Sequence, residues 1–183
     1  MGPHTMSSLL LLSGGLDSAL CLVSEPDIEL AIGFDYGQPH IIELTRASDL
    51  AAGAGVPFRV VKIPEMPLVN DVVFAGRNAV LLSIAASIAI CEGLDTIVIG
   101  CNKSDNFRFS DCREDFLSAM GQALSVYGIK VHAPLLGMSK SDVIAVAKVI
   151  GLTTEVTWSC YTPVNETPCG TCLACVTSRE SSV

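Results

Sequence analysis

The stretch LLSGGLDSALCL, residues 11–22, joins two apolar runs through a pair of glycines and an Asp-Ser pair. A buried strand, a glycine loop and a helix account for all of its parts. In an open α/β sheet, ligands bind beyond the carboxyl ends of the strands. A helix that begins there presents free amides and a positive dipole to an anion. Gly14 and Gly15 let the backbone approach phosphate oxygens with no Cβ in the way, and Ser13 and Ser18 add hydroxyls. With Leu12 and Leu16 they form a candidate nucleotide loop. Asp17 suits an anion site only if Mg²⁺ accompanies the phosphates, since a carboxylate helps hold that ion. The competing reading is an ordinary strand-to-helix turn capped by the aspartate. Neither GxxxxGK[ST] nor GxGxxG occurs, so this is neither a Walker A loop nor a dinucleotide-binding turn.

Outward from the loop, apolar β-branched runs alternate with helical patterns. Strands are expected at residues 8–12, 29–34, 58–63, 96–100 and 129–132. Helices are expected at 17–24, 41–54, 79–92, 115–127 and 139–150, with Gly53 and Gly55 as stops for the second and Ser139 as the cap of the last. The strands are continuous apolar runs, as parallel strands covered on both faces require. The expected fold is α/β, a doubly wound and mostly parallel sheet. One domain is expected over residues 1–183, with 1–6 (MGPHTM) a tag remnant and 158–179 a metal-binding segment.

Composition narrows the partners. Half of the 183 residues are hydrophobic, 16% are charged and the formal net charge is −8. That charge excludes a broad nucleic-acid surface but not a small anion held by a few amides. No apolar run approaches the roughly 20 residues of a membrane span, and no signal peptide is visible. Eight cysteines in such a chain point to a reducing compartment, so a cytoplasmic location is expected. Cys21 and Cys91 are expected to be small buried hydrophobes.

The other dense signal is the tail. Cys160, Cys169, Cys172 and Cys175 have the spacing C-x8-C-x2-C-x2-C, with Gly170 to allow the turn. Four such thiolates suit a closed, tetrahedral, structural Zn²⁺. An iron–sulfur cluster and two disulfides are the alternatives. Trp158 and Tyr161 flank the first cysteine and pack either on a substrate base or on the metal segment.

SGGLDS after the first strand resembles the signature of the PP-loop pyrophosphatases, which cleave ATP to AMP and pyrophosphate while adenylating a substrate. The resemblance narrows with FDYGQPH (34–40), GRN (76–78), IGCN (99–102), SDCREDF (110–116), APLLGMSKSDVI (133–144) and SCY…CGTCLAC (159–175). These occur in the order seen in the 7-cyano-7-deazaguanine synthases of the queuosine pathway. The resemblance implies an adenine nucleotide α-hydrolase-like fold and ATP-dependent activation of 7-carboxy-7-deazaguanine. Ammonia would give the amide, which is activated in turn and loses its oxygen as the nitrile forms. Two other readings stay open: a ligase joining the deazaguanine carboxylate to a protein or other amine, and a non-catalytic zinc-bearing nucleotide-binding module. A homodimer is compatible with all of them.

The same resemblance distributes roles. Asp17, Lys140 and Arg77 are the catalytic candidates. Tyr36, Gln38, His40, Arg77, Asn78, Asn102, Asp105, Asp111 and Arg113 are the substrate-binding candidates. His40 reads equally as a satisfied core histidine. Lys140 opens a helix, where the dipole disfavours a cation unless an anion is near. Family members usually carry Arg where this chain has Pro39, and Ser-Gly-Tyr-Pro where it has Asn106-Phe107-Arg108-Phe109-Ser110.

Overall fold

The computed structural model describes residues 7–66, 68–69, 73–153, 156–172 and 174–176. The expected tag remnant and the last residues of the expected metal segment lie outside them.

Five strands form one parallel sheet in the order β3-β2-β1-β6-β7: β1 Ser8–Leu11, β2 Ile28–Asp35, β3 Phe58–Lys62, β6 Thr96–Val98 and β7 Lys130–His132. Between β3 and β6 lies a small antiparallel ribbon, β4 Leu68–Val69 and β5 Val73–Phe74, which the apolar pattern had not separated from the surrounding loop. The helices are α1 Leu16–Ser24, α2 Ile42–Ala54, α3 Arg77–Glu92, α4 Glu114–Ser125 and α5 Lys140–Val149. The sheet is doubly wound, as the alternation of elements predicts.

The reason is visible in β1. Leu9 and Leu11 pack with Leu82, Ala85 and Ala89 of α3 and Leu117 of α4. Leu10 and Leu12 face the other way, onto Leu20 of α1, Ala47 and Ala51 of α2 and Val143 of α5. Successive side chains of a strand point to opposite faces, so a run of four leucines serves two apolar layers at once. The small residues of α3 let that helix lie close to the sheet. Edge strands are less covered: Val60 of β3 is 44% exposed.

Several local expectations needed correction. Gly53 lies inside α2, and it is Gly55, at φ 70°, that ends the helix, its amide donating to Ala51 and Ala52 carbonyls. Cys21 is buried, but Cys91 is exposed because it falls on the outer face of α3. Ser139 does cap α5, with a reciprocal bond to Asp142 that completes a capping box.

The chain winds outward from β1 through β2 to β3, then returns to place β6 on the other side of β1. The crevice between β1 and β6 is therefore the topological switch point of the sheet, where ligands of open α/β folds bind. Gly100, just past β6, presses on it. A Cβ there would stand 3.0 Å from the Asp17 carbonyl carbon and the Ser18 nitrogen, so the backbone after β6 lies directly against the start of α1.

Candidate active site

A cleft of about 680 Å³ opens at that switch point. One end is the glycine loop. Gly15 precedes α1 as its N-cap with no side-chain cap bond, so Asp17 does not cap the helix. Ser18 Oγ instead donates to the Gly15 carbonyl at 3.0 Å and accepts from the Ser13 amide at 3.2 Å. The two serine hydroxyls stand 3.1 Å apart. These bonds fix the loop while the first amides of α1, at Leu16, Asp17 and Ser18, have no intrahelical acceptor by their position. Gly14 is the glycine that the turn requires. Its φ is +78°, and a Cβ there would collide with the Glu43 carbonyl oxygen. Trp158, from the tail, donates its amide to the Gly14 carbonyl at 2.8 Å.

One wall is charged. Lys140 Nζ lies 2.7 Å from Asp17 Oδ2. The cation at the start of α5, unfavourable against the helix dipole, thus has a carboxylate beside it. The other oxygen, Asp17 Oδ1, is buried and has no hydrogen-bond partner among the described residues. Asp105 stands nearby. Its Oδ2 accepts the Asn102 amide at 3.2 Å, and burial raises its carboxyl above the usual range.

A second wall gathers groups from distant segments. Tyr36 follows β2, His40 and Glu43 head α2, Arg77 heads α3 and Tyr161 comes from the tail; all line the cleft. Arg77 Nη1 donates to Tyr36 Oη at 3.4 Å. The His40 and Tyr161 rings meet edge to face with centroids 6.0 Å apart. His40 is buried, its Nδ1 has no partner among the described residues, and its Nε2 is 3.6 Å from Glu43 Oε2. Burial, with Arg77 adding to it, pushes the imidazole down to about 4. Burial also pushes the Glu43 carboxyl up to about 7, against the Gln38 hydrogen bond and the Arg77 charge.

Of the sequence candidates, Leu12, Ser13, Gly15, Leu16, Asp17, Ser18, Tyr36, His40, Arg77, Asn78, Asp105 and Lys140 line this one cleft. Gly14 packs behind the loop. Gln38, Asn102, Asp111 and Arg113 are not among the lining residues; they brace the walls. Gln38 accepts the Tyr36 amide at 2.9 Å and donates to the Phe34 carbonyl at 2.8 Å and to Glu43 Oε1 at 3.1 Å. Asn102 Oδ1 accepts the Ser104 amide at 2.8 Å, shaping the turn that carries Asp105. Asp111 Oδ2 accepts the Asn78 amide at 2.9 Å, which caps α3. Asn78 itself is buried, its Nδ2 held by the Asp111 carbonyl at 3.0 Å and Cys112 Sγ at 3.3 Å. Arg113 Nε donates to the Asn106 carbonyl at 3.0 Å in an exposed position. Arg108 and Phe109, from the altered run 106–110, line the cleft, and so does Glu43, which had not been picked out from the sequence. Glu43 was within reach of sequence reasoning, since three residues after His40 at a helix start puts both on one face.

The tail cysteines converge. The four sulfurs of Cys160, Cys169, Cys172 and Cys175 lie within 4.8 Å of one another, a group that could hold a metal ion. Cys169 Sγ accepts from the Thr162 hydroxyl at 3.3 Å and the Cys172 amide at 3.2 Å, and these donors lower its thiol to about 5. Trp158, Cys160 and Cys175 form a buried cluster packed on Ile42 of α2. Trp158 Nε1 donates to the Cys160 carbonyl at 2.8 Å. The cluster thus anchors Tyr161 at the cleft.

A parallel sheet that feeds SGGLDS into a helix N-terminus at its switch point defines an adenine nucleotide α-hydrolase-like protein of the PP-loop class. Solved structures share the fold. The U34-tRNA thiolase NcsA from Methanococcus maripaludis matches at TM-score 0.61 and 17% identity, over 88% of this chain and 62% of that one. The NH3-dependent NAD synthetase from Campylobacter jejuni matches at TM-score 0.56 and 18% identity, over 85% of this chain and 68% of that one. At finer grain, the chain belongs to the family of the queuosine biosynthesis protein QueC, whose model matches residues 7–72 and 67–182. Relatives named 7-cyano-7-deazaguanine synthase include that of Leptospira interrogans, 31% identical over 94% of this chain and 85% of that protein. That of Laribacter hongkongensis is 34% identical over 92% of this chain and 86% of that protein. Membership in this family makes the chain an enzyme of the synthase type. Among the described residues no helix is long and apolar enough to cross a membrane.

Proposed function

We propose that the protein uses ATP and ammonia to convert 7-carboxy-7-deazaguanine to 7-cyano-7-deazaguanine through adenylated intermediates, in the cytoplasm. The observation that carries this reading is that a phosphate-suited loop and a cationic, aromatic wall line one cleft, in a chain related along its length to synthases of that name. A carboxylate is a poor electrophile and oxide a poor leaving group. Transfer of AMP to that oxygen turns it into a phosphate ester that departs.

The loop of residues 12–18 holds the ATP phosphates through the amides that open α1. Lys140 shields the charge that develops as pyrophosphate leaves, an electrostatic contribution from a cation already held in place by Asp17. Arg77 takes the substrate carboxylate in a charge-assisted pair. Tyr36, His40, Asn78 and Asp105 shape the pocket for the base, while Gln38, Asn102, Asp111 and Arg113 keep those side chains in place. Asp17 fits a Mg²⁺ site, since its Oδ1 is buried with no partner among the described residues. Bound there, the ion would neutralise phosphate charge.

The cysteine group fits one tetrahedral Zn²⁺. Sulfurs each about 2.3 Å from a shared ion stand roughly 3.8 Å apart. The Cys169–Cys175 and Cys160–Cys172 sulfurs are each 4.0 Å apart. All four ligands come from the chain, so the ion is structural.

Mass spectrometry after incubation with 7-carboxy-7-deazaguanine, ATP, Mg²⁺ and ammonium checks this reading. The nitrile and AMP are expected. An amide on another acceptor, or ATP bound with no acid-dependent AMP release, overturns it.

A further inference from the structure

We propose that Glu43 is the base that takes the proton from the incoming amine as the carbon–nitrogen bond forms, a role that rests on the function proposed above. Its placement is the first reason. The Glu43 backbone carbonyl packs against Gly14 of the nucleotide loop, and the residue lines the same cleft. Its side chain is 16% exposed, yet its only charged-pair candidate within 4.0 Å among the described residues is the neutral His40. Burial outweighs both the Gln38 hydrogen bond and the Arg77 charge, so ionising this carboxyl is costly in its pocket.

The other acids of the cleft belong to the Lys140 wall rather than to the groups around Glu43. Asp17 carries Lys140 at 2.7 Å, and Asp105 carries the Asn102 amide. The groups that face Glu43 come from every neighbouring element. Gln38 and Tyr36 belong to the turn after β2, His40 to the head of α2, Arg77 to α3, and Tyr161, against His40, to the tail. Gln38 Nε2 donates to Oε1 at 3.1 Å, which aims the carboxyl and leaves Oε2 toward His40. Burial raises this acid to about 7, where a base is half ionised at neutral pH and matched to its task.

The step balances. The nitrogen lone pair forms the C–N bond at the acyl adenylate and the carbonyl π pair moves to oxygen. The nitrogen, now cationic, passes a proton to the Glu43 carboxylate. The oxygen pair returns, the bond to the AMP oxygen breaks, and AMP leaves with that pair. Glu43 later returns its proton to solvent.

The test separates activation from amide formation. Pyrophosphate–ATP exchange, dependent on the acid and run without ammonia, reads the first. Amide formation as a function of pH, with the rate expressed per free ammonia, reads the second. Wild type should show an acid limb near pH 7. Glu43→Gln should lose that limb and about 10²–10⁴-fold in rate, while exchange stays within a few-fold; Glu43→Asp should recover part of both. A wild-type profile without the limb, which requires no variant to fold, overturns the proposal. So does Glu43→Gln with limb and rate intact, or with exchange falling in step with amide formation. Absent exchange in wild type overturns the function above and this role together, whereas intact exchange with an unaltered limb in Glu43→Gln removes the role of Glu43 alone.

Discussion

The two ends of the cleft are built in different ways. The nucleotide end is one stretch, residues 12–18, whose turn is held by the bonds between Ser13, Gly15 and Ser18 and tied to the rest by Trp158 and Lys140. The other wall takes Tyr36, His40, Glu43, Arg77 and Tyr161 from four separate segments. Local loops of the first kind are fixed by backbone geometry and glycine. Walls of the second kind depend on everything that holds the segments together, above all the cysteine segment behind Tyr161. The two ends should therefore fail differently.

The largest effect should come from the segment that holds the wall. Cys172→Ser should abolish metal binding, and structural zinc in small sites is worth on the order of 10 kcal/mol. Elemental analysis and thermal melting check it: one zinc per chain in wild type, none in the variant, and a lower Tm. Iron, or no metal in a stable wild-type protein, would show that the wall stands without zinc.

Next in size is a crossed pair of substitutions, one at each end. Asp17→Asn should keep the fold but lose about 10²–10³-fold in AMP formation, the range seen when one electrostatic stabiliser is removed. Arg77→Ala should weaken binding of 7-carboxy-7-deazaguanine by about ten- to a hundredfold, the loss of one charge-assisted bond, and leave an ATP analogue nearly unaffected. Calorimetric titration of both ligands decides. Equal losses for the two ligands in Arg77→Ala would mean that the ends are not separable.

The smallest effect is a pH signature confined to the wall. His40 has its folded value lowered from 6.5 to about 4, so the stability it contributes is present above pH 6.5 and is lost as pH falls towards 4. Glu43 has its folded value raised from 4.5 to about 7, so its contribution is present below pH 4.5 and is lost as pH rises towards 7. The two slopes oppose each other and largely cancel between these limits. Glu43→Gln should unmask the first, with stability rising from about pH 4 to 6.5 by at most about 1.4 kcal/mol per unit. His40→Gln should unmask the second, with stability falling from about pH 4.5 to 7. Urea midpoints across this range check it; parallel profiles for wild type and both variants would remove the coupling.

The sequence by itself determined the sheet, because four leucines in succession, three in β1 and Leu12 just after it, can be buried only between two apolar layers. It also determined the loop and the cysteine group, whose members lie so close along the chain that local geometry brings them together. It read Lys140 as a cation in need of an anion, but not that Asp17, more than a hundred residues away, stands beside it. It placed Asn102, Asp111 and Arg113 in the pocket, where the fold uses them as braces. It passed over Glu43, whose surroundings are supplied by β2, α3 and the tail. A side chain's type and spacing are properties of the chain. Whether it points into a cleft, caps a helix or sits in a dry pocket that shifts its proton affinity depends on neighbours that only the packed structure brings near, through burial and short-range contacts that fall off within a few ångströms.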